Sequence, residues 1–219
     1  MRELEIGGRC LHIEEEWAWH NEAGAVVWDA ALVLSHYIAV HQELVRGRRV
    51  LELGSGPGAV GCTAAALGAS TVAVTDLQPV VALAARNIQA NGLSHIASAV
   101  PLPWGQPLPP PEQLPGQPFD LVLASDVLYF ADALPLFIST LSEVFSANPE
   151  ALLVLCNEHR PALPFPGALF AAAGLSVCRV PTAEQHPDWR SDDIHLYHIQ
   201  LANLQASQRP ARGSGTGSP

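Results

Sequence analysis

The chain opens with LEIGGRCLHI, two short apolar alternations on either side of Gly7-Gly8, and this pattern predicts a β-hairpin. Three glutamates, Glu14 to Glu16, then lead into Trp17 and Trp19. From about Trp28 the stretch WDAALVLSHYIAVH places apolar residues at three- and four-residue intervals, the period of a helix. Arg46-Gly47-Arg48-Arg49 turns the chain into a strand at 50–53, and from there two periods alternate. A glycine-rich loop is followed by a small-residue helix, from Gly58 to about Leu67, and by a strand at 71–75. Pro79 suits the first turn of a helix that runs to Asn91 and stops at Gly92. A weaker strand covers 96–102, and the connection after it, PLPWGQPLPPPEQLPGQP, holds too much proline for a helix or a central strand. A continuous apolar strand at 119–125, a helix at 131–147 and a buried strand at 151–156 complete the alternation.

Strands alternating with helices in this way imply parallel β-α-β units, hence an α/β fold with a doubly wound sheet. The end of the chain breaks the rhythm. Residues 175–180 and 194–201 read as two strands joined by a polar segment without a helical period, which predicts an antiparallel pair at the sheet edge. The expected fold is a mostly parallel, seven-stranded sheet ending in an antiparallel hairpin. One domain over 1–204 and a flexible tail over 205–219, QASQRPARGSGTGSP, account for the whole sequence, with no internal repeat.

Composition narrows the partners. Hydrophobic residues make up 48% of the 219 and charged residues 15%, the balance of a folded globular chain with length enough to bury a core. A net charge of -10 argues against a nucleic-acid backbone as partner and is compatible with a basic protein segment. The four cysteines, Cys10, Cys62, Cys156 and Cys178, form no C-x-x-C, and no zinc spacing occurs among the nine histidines, so no metal is expected. Cys62 and Cys156 lie in apolar runs, as buried thiols of a reducing compartment do. Neither a secretory signal nor a run of membrane-spanning length is present in these 219 residues, which makes a cytoplasmic or nuclear, membrane-free monomer the default expectation.

The chemistry concentrates in VLELGSGPGAVG, residues 50 to 61. Gly56-Pro57-Gly58-Ala59-Val60-Gly61 satisfies G-x-G-x-x-G, the loop of a nicotinamide or flavin dinucleotide site. From Glu52 the same residues read E-x-G-x-G-x-G, the loop of an S-adenosylmethionine site. Gly54, Gly56 and Gly58 let the backbone turn tightly and approach a ligand. Asp76, about twenty residues on at the end of the next strand, can accept hydrogen bonds from ribose hydroxyls. Both cofactors need those features. Glu52 favours the methyl donor, because a carboxylate there can meet an ammonium group and would repel a pyrophosphate.

Six stretches in order, AVVWDAALVLSHYI, VLELGSGPGAVG, VAVTDLQPVVALAARNIQAN, LPWG, FDLVLASDVLYF and DDIHLYHIQ, resemble the methyltransferase-16 family, the METTL21-like protein-lysine methyltransferases of the class I seven-strand fold. The resemblance covers about Gly24 to Gln200. It implies that Trp28 lies against S-adenosylmethionine, in an N-terminal hairpin-and-helix segment (1–45) that covers the site. It implies that Gly54, Ser55 and Gly56 hold the amino-acid part of the cofactor, that Asp76 binds its ribose and that Trp104 flanks its adenine. Ser125 would touch the cofactor through its backbone. Asp126 and Tyr129 match the family's D-x-x-Y and would face the transferred methyl and the incoming amine. Chaperones and translation factors are the protein targets the family suggests. Asp126 can orient a lysine, whose reference pKa of about 10.4 must be overcome before it attacks a methyl group. An aromatic wall helps the amine lose its proton, and Tyr129 offers a π-face.

Two departures stand out. After the strand at 151–156 this chain reads CNEHRP where METTL21-type relatives often carry a more basic C-R-x-R, and the connection at 101–118 is unusually rich in proline. Both lie where a target would approach. The nine histidines read as surface or hydrogen-bonded residues rather than catalysts, and His195, in the last strand motif, is the one to watch. The competing readings are an NAD(P)-dependent oxidoreductase and a methyltransferase acting on a small molecule.

Overall fold

The structure, a computed structural model, describes residues 1–16, 23–78 and 80–202. Trp17 and Trp19, Pro79 as a helix start and the tail expected over 205–219 lie outside the described residues. Strands β1 (Arg2–Ile6) and β2 (Arg9–Ile13) form the expected hairpin as a sheet of their own. Seven further strands make the main sheet: β3 (Arg49–Leu53), β4 (Thr71–Asp76), β5 (Ala97–Pro101), β6 (Leu121–Ser125), β7 (Leu152–Glu158), β8 (Leu175–Arg179) and β9 (Ile194–Leu201). Their order is β5-β4-β3-β6-β7-β9-β8, parallel from β5 through β7. The last two strands pair antiparallel, with β8 at the edge and β9 between it and β7.

Helices cover both faces: α1 (Asp29–Val40), α2 (Ala59–Ala66), α3 (Val80–Ala90), α4 (Leu134–Ala147) and α5 (Gly167–Ala172). Alternation along β3 divides the core. Val50 faces the layer of α1, α2, α3 and the hairpin, whereas Leu51 and Leu53 face α4 and α5. Helix α1 is buried almost all round, from Ala30 to Ala39, because it lies against both α2 and β7. Sequence periodicity did not reveal α5. It has six residues, follows Pro166 directly and is too short to display a period.

The hairpin is clasped to α3 by two asparagines one turn apart. Asn91 accepts from the His12 N–H at 2.9 Å and donates to the His12 carbonyl at 2.8 Å. Asn87, 1% exposed, does the same for Glu14 and also donates to the Pro57 carbonyl of the glycine loop at 2.9 Å. The acidic run is half-buried and paired within the fold rather than left as a free run of charge. Arg86 pairs with Glu14 and Glu16, and Glu15 accepts from the Val27 N–H at 2.8 Å and pairs with Arg2 at 3.3 Å. Three like charges thus tie the N-terminal segment to α3 and to the start of α1.

Strands β4 and β5 leave β3 on one side, β6 and β7 on the other, so the chain order reverses between β3 and β6. In an open α/β sheet the crevice beyond the carboxyl ends of such strands is where ligands bind.

Candidate active site

The loop after β3 occupies that crevice. At Gly54 and Gly56 the backbone is left-handed, with φ of +68° and +54°. A Cβ at Gly56 would lie 2.8 Å from the Gly24 carbonyl oxygen, and one at Gly54 would lie 2.8 Å from Val127 Cγ1 and 3.1 Å from Trp104 Cζ2. Asp76 holds the loop in place. Its Oδ2 accepts from the Gly56 N–H and its Oδ1 from the Leu77 N–H, both at 2.7 Å. Ser55 donates its N–H to the Thr75 carbonyl at 3.0 Å, tying the loop to the end of β4.

A cavity of about 400 Å³ lies between this loop, the segment from Gly24 to Ala31 and the end of β6. It brings together Trp28, Gly54, Ser55, Gly56, Asp76, Ser125, Asp126 and Tyr129. A second cavity of about 370 Å³ shares Gly54, Asp76, Val127 and Tyr129 with the first and continues to Leu77, Leu102 and Trp104. Trp104 is braced edge-on by Phe137, with ring centroids 5.0 Å apart. A third, of about 450 Å³, shares Val26, Val27, Trp28 and Asp126 with the first and opens on Arg2, Asp29, Glu158 and Asp193. Of the N-terminal segment, residues 24–31 wall the first cavity, while the hairpin reaches only the third, through Arg2.

Three expected positions are placed elsewhere. Gly58 caps the start of α2 and faces Val74 and Ala84 rather than a cavity. His195 stacks on His159 at 5.3 Å and bonds to the Asp192 carbonyl, away from all three cavities just described. Glu52 is the substantive correction. Its side chain, 1% exposed, projects behind the loop and accepts from the Gly61 N–H at 2.9 Å. A Cβ at Gly61 would lie 2.5 Å from that carboxyl, so the third glycine of G-x-G-x-x-G makes room for Glu52 and not for a pyrophosphate. Direct contact with a cofactor ammonium therefore gives way to a supporting role beneath the loop.

Burial, only partly opposed by the Gly61 hydrogen bond, pushes the Glu52 carboxyl from its ordinary 4.5 up to about 8. The folded chain then holds a proton that the unfolded chain has lost, and stability falls as pH rises from about 4.5 to about 8. Glu52→Gln is expected to flatten that decline and to leave the variant more stable than wild type at pH 8, by a few kcal/mol at most. Urea denaturation at pH 6 and at pH 8 checks this; equal slopes for the two proteins would show that Glu52 does not titrate in that window.

Asp126 is held in a way its sequence position did not announce. Its φ of +53° makes it the non-glycine residue with left-handed backbone among the described residues, and its N–H donates to the Cys156 carbonyl at 2.8 Å. It is 9% exposed. Arg160 grips both carboxylate oxygens, Nη1 to Oδ1 and Nη2 to Oδ2, each at 2.8 Å, and the Glu158 N–H adds a bond of 3.3 Å. Asn157 supports the same turn by accepting from the Leu128 N–H at 3.0 Å. Arg160 also lines the first cavity. The CNEHRP departure marked its segment, but a sequence does not show which charges meet.

These residues fit S-adenosylmethionine. Its amino-acid end requires a bare backbone cradle, its ribose a carboxylate at the end of the neighbouring strand and its adenine an apolar slot with an aromatic wall. The Gly54–Gly56 turn, Asp76 and the Leu102–Trp104 slot provide them in that order. When bound, the cofactor supplies an electrophilic methyl group on a sulfonium. A seven-stranded sheet of this order with this crevice defines a class I methyltransferase. The lysine methyltransferase family, methyltransferase-16, matches over residues 7–164, and the chain belongs to it. The protein N-lysine methyltransferase METTL21A of Mus musculus is 39% identical over 201 residues, covering 90% of this chain and 86% of the relative. The EEF1A lysine methyltransferase 3 of Xenopus tropicalis is 34% identical over 154 residues, 70% of this chain and 66% of its own length. Among solved structures, the CcbJ methyltransferase from Streptomyces caelestis superposes with a TM-score of 0.61 over 83% of this chain and 99% of its own, at 15% identity, a likeness of fold. The protein is an S-adenosylmethionine-dependent methyltransferase, and the oxidoreductase reading of the loop falls.

Proposed function

We propose that the chain methylates the ε-amine of a lysine in a protein substrate, with Trp28, Gly54, Ser55, Gly56, Asp76, Trp104 and Ser125 around the cofactor and Asp126 and Tyr129 beside the amine. The observation that carries this reading is the third cavity. It meets the cofactor cavity at Trp28 and Asp126, and it brings Asp29, Asp126, Glu158 and Asp193 together with Arg2; Asp126 and Glu158 are also paired with Arg160. Such a passage suits one long cationic side chain of a basic segment. Inside, the carboxylate of Asp126 has a lone pair left for an amine N–H, and Trp28 and Tyr129 offer aromatic faces. Transfer then depends mainly on holding the amine in line, with little covalent help from the protein.

The name of the Xenopus relative makes a translation factor the first target to test, ahead of a chaperone. Free thiols at Cys10, Cys62, Cys156 and Cys178 support the cytoplasm or nucleus as the setting. The test is transfer of a labelled methyl group from S-adenosylmethionine into an extract of cells lacking this protein, with the labelled residue mapped by mass spectrometry. One discrete protein labelled on lysine is the expected result. Label confined to small molecules, or to another side chain, would overturn the lysine assignment.

A further inference from the structure

Arg160 is a cation in a cavity that must receive a second cation. The pair it forms with Asp126 is bidentate, the strongest geometry available to a guanidinium and a carboxylate. Glu158 Oε2 accepts from the same guanidinium at 2.8 Å, so Arg160 is anchored on two sides rather than loosely parked. A bare Asp126 carboxylate would bind a lysine ammonium well and, for that reason, would keep it protonated. The protonated form has no lone pair for methyl transfer.

We propose that Arg160 is a positioning residue of the methyl-transfer site: its two-point pair with Asp126 offsets the carboxylate charge where the substrate amine binds, so that the amine is received neutral. This rests on the lysine reading of the site. The ammonium gives its proton to solvent on entering. The amine lone pair then forms the N–C bond as the S–C bond breaks, that electron pair going to sulfur, and the resulting methylammonium returns its extra proton to solvent. Asp126, held by the fork, uses its remaining lone pair to orient the amine N–H.

The other charges around the pair do not supply this effect. Glu158 is committed to Arg160 and half exposed. Asp29, Asp193 and Arg2 line the outer cavity together with Asp126. Tyr129 is kept protonated, its hydroxyl pushed up by burial and by the charges of Asp76 and Asp126. Burial pushes the Cys156 thiol well above its ordinary value, and the Asp126 carboxylate holds Arg160 more firmly charged. His159 and His195 stack on each other with ring centroids 5.3 Å apart and line neither the cofactor cavity nor the outer one.

Single-turnover transfer tests the proposal without a purified substrate. Enzyme loaded with labelled S-adenosylmethionine is held in excess over the proteins of the same extract. The plateau rate, and the enzyme concentration giving half of it, are followed from about pH 6 to about pH 9.5. Removing a cation this close shifts the bound amine by about one pH unit. Arg160→Gln is thus expected to move the rate–pH curve about one unit alkaline and to lower the plateau rate at pH 7 about tenfold, while binding the substrate more tightly. Arg160→Lys, which keeps the charge without the fork, is expected to hold the wild-type curve position. A merely structural role would lower the rate equally at every pH and leave the half-saturating concentration unchanged or higher; that result overturns the proposal. If Arg160→Gln fails to bind S-adenosylhomocysteine, Arg160→Lys carries the test, and an alkaline shift in that variant overturns it. Wild type that labels no protein lysine overturns the lysine reading itself, and this inference with it.

Discussion

Gly56→Ala is expected to lose cofactor binding, with affinity for S-adenosylhomocysteine falling at least about a hundredfold. Two costs meet at that position. A left-handed backbone costs a non-glycine residue roughly 1–2 kcal/mol. The new methyl would also stand 2.8 Å from the Gly24 carbonyl oxygen, a backbone atom that cannot rotate away. Either the loop or the segment from Gly24 to Trp28 must move, and both wall the cofactor cavity. Moving the loop also breaks the 2.7 Å bond from the Gly56 N–H to Asp76, releasing the carboxylate proposed to bind the ribose. Gly8→Ala is the matched control. Its backbone is left-handed as well, at φ +75°, but nothing lies within 4 Å of the added methyl, so it is expected to lose about 1 kcal/mol of stability and no affinity. Titration calorimetry with S-adenosylhomocysteine separates the two. Affinity within about threefold of wild type for Gly56→Ala would mean that the glycine loop is not the cradle.

The same contrast shows what the sequence could disclose. Strand positions, the glycine loop and the terminal Asp76 of β4 were legible because each is local: a period, a missing side chain, a residue at a strand end. Gly56 and Gly58 carry the same signal in sequence and diverge in space, one against a cavity wall and the other against Ala84. Glu52 was legible as an anomaly, an acid inside an apolar strand, but its direction was not. Its partner is the Gly61 N–H nine residues on, a contact set by how α2 docks on β3. The ties of Glu14 to Glu16 were not legible, because their partners, Arg86 and Arg2, come from other elements. Arg160 lies 34 residues from Asp126, and only the parallel pairing of β6 with β7 puts the two side by side. Pairings of this kind depend on register between distant strands, which no local pattern encodes.

That pairing also governs how Asp126 should be probed, and Asp126→Asn is expected to lower methyl transfer at least about a hundredfold while leaving S-adenosylhomocysteine affinity within about threefold. Asparagine is the informative substitution. It tolerates the left-handed backbone at φ +53° and keeps the N–H bond to Cys156, so the turn into Val127 and Tyr129 holds its course. It removes the charge, however, and replaces one acceptor oxygen with an NH₂ that cannot accept from Arg160. The guanidinium is then left with Glu158 as its carboxylate partner, and the cavity loses one negative charge beside the position of the amine. A lysine ammonium would be attracted less on entry, and a neutral amine would lose its orienting acceptor. Both effects fall on transfer, because neither Asp126 oxygen is needed to hold Gly54–Gly56 or Asp76. Stability is expected to drop by about 1–2 kcal/mol, since the broken pair has one partner nearly buried and the other about a third exposed. Initial-rate transfer into the cell extract, with the same samples titrated with S-adenosylhomocysteine, distinguishes the outcomes. Transfer and affinity lost together would make Asp126 part of the cofactor wall; transfer retained would remove it from the chemistry and leave Tyr129 and Trp28 to orient the amine.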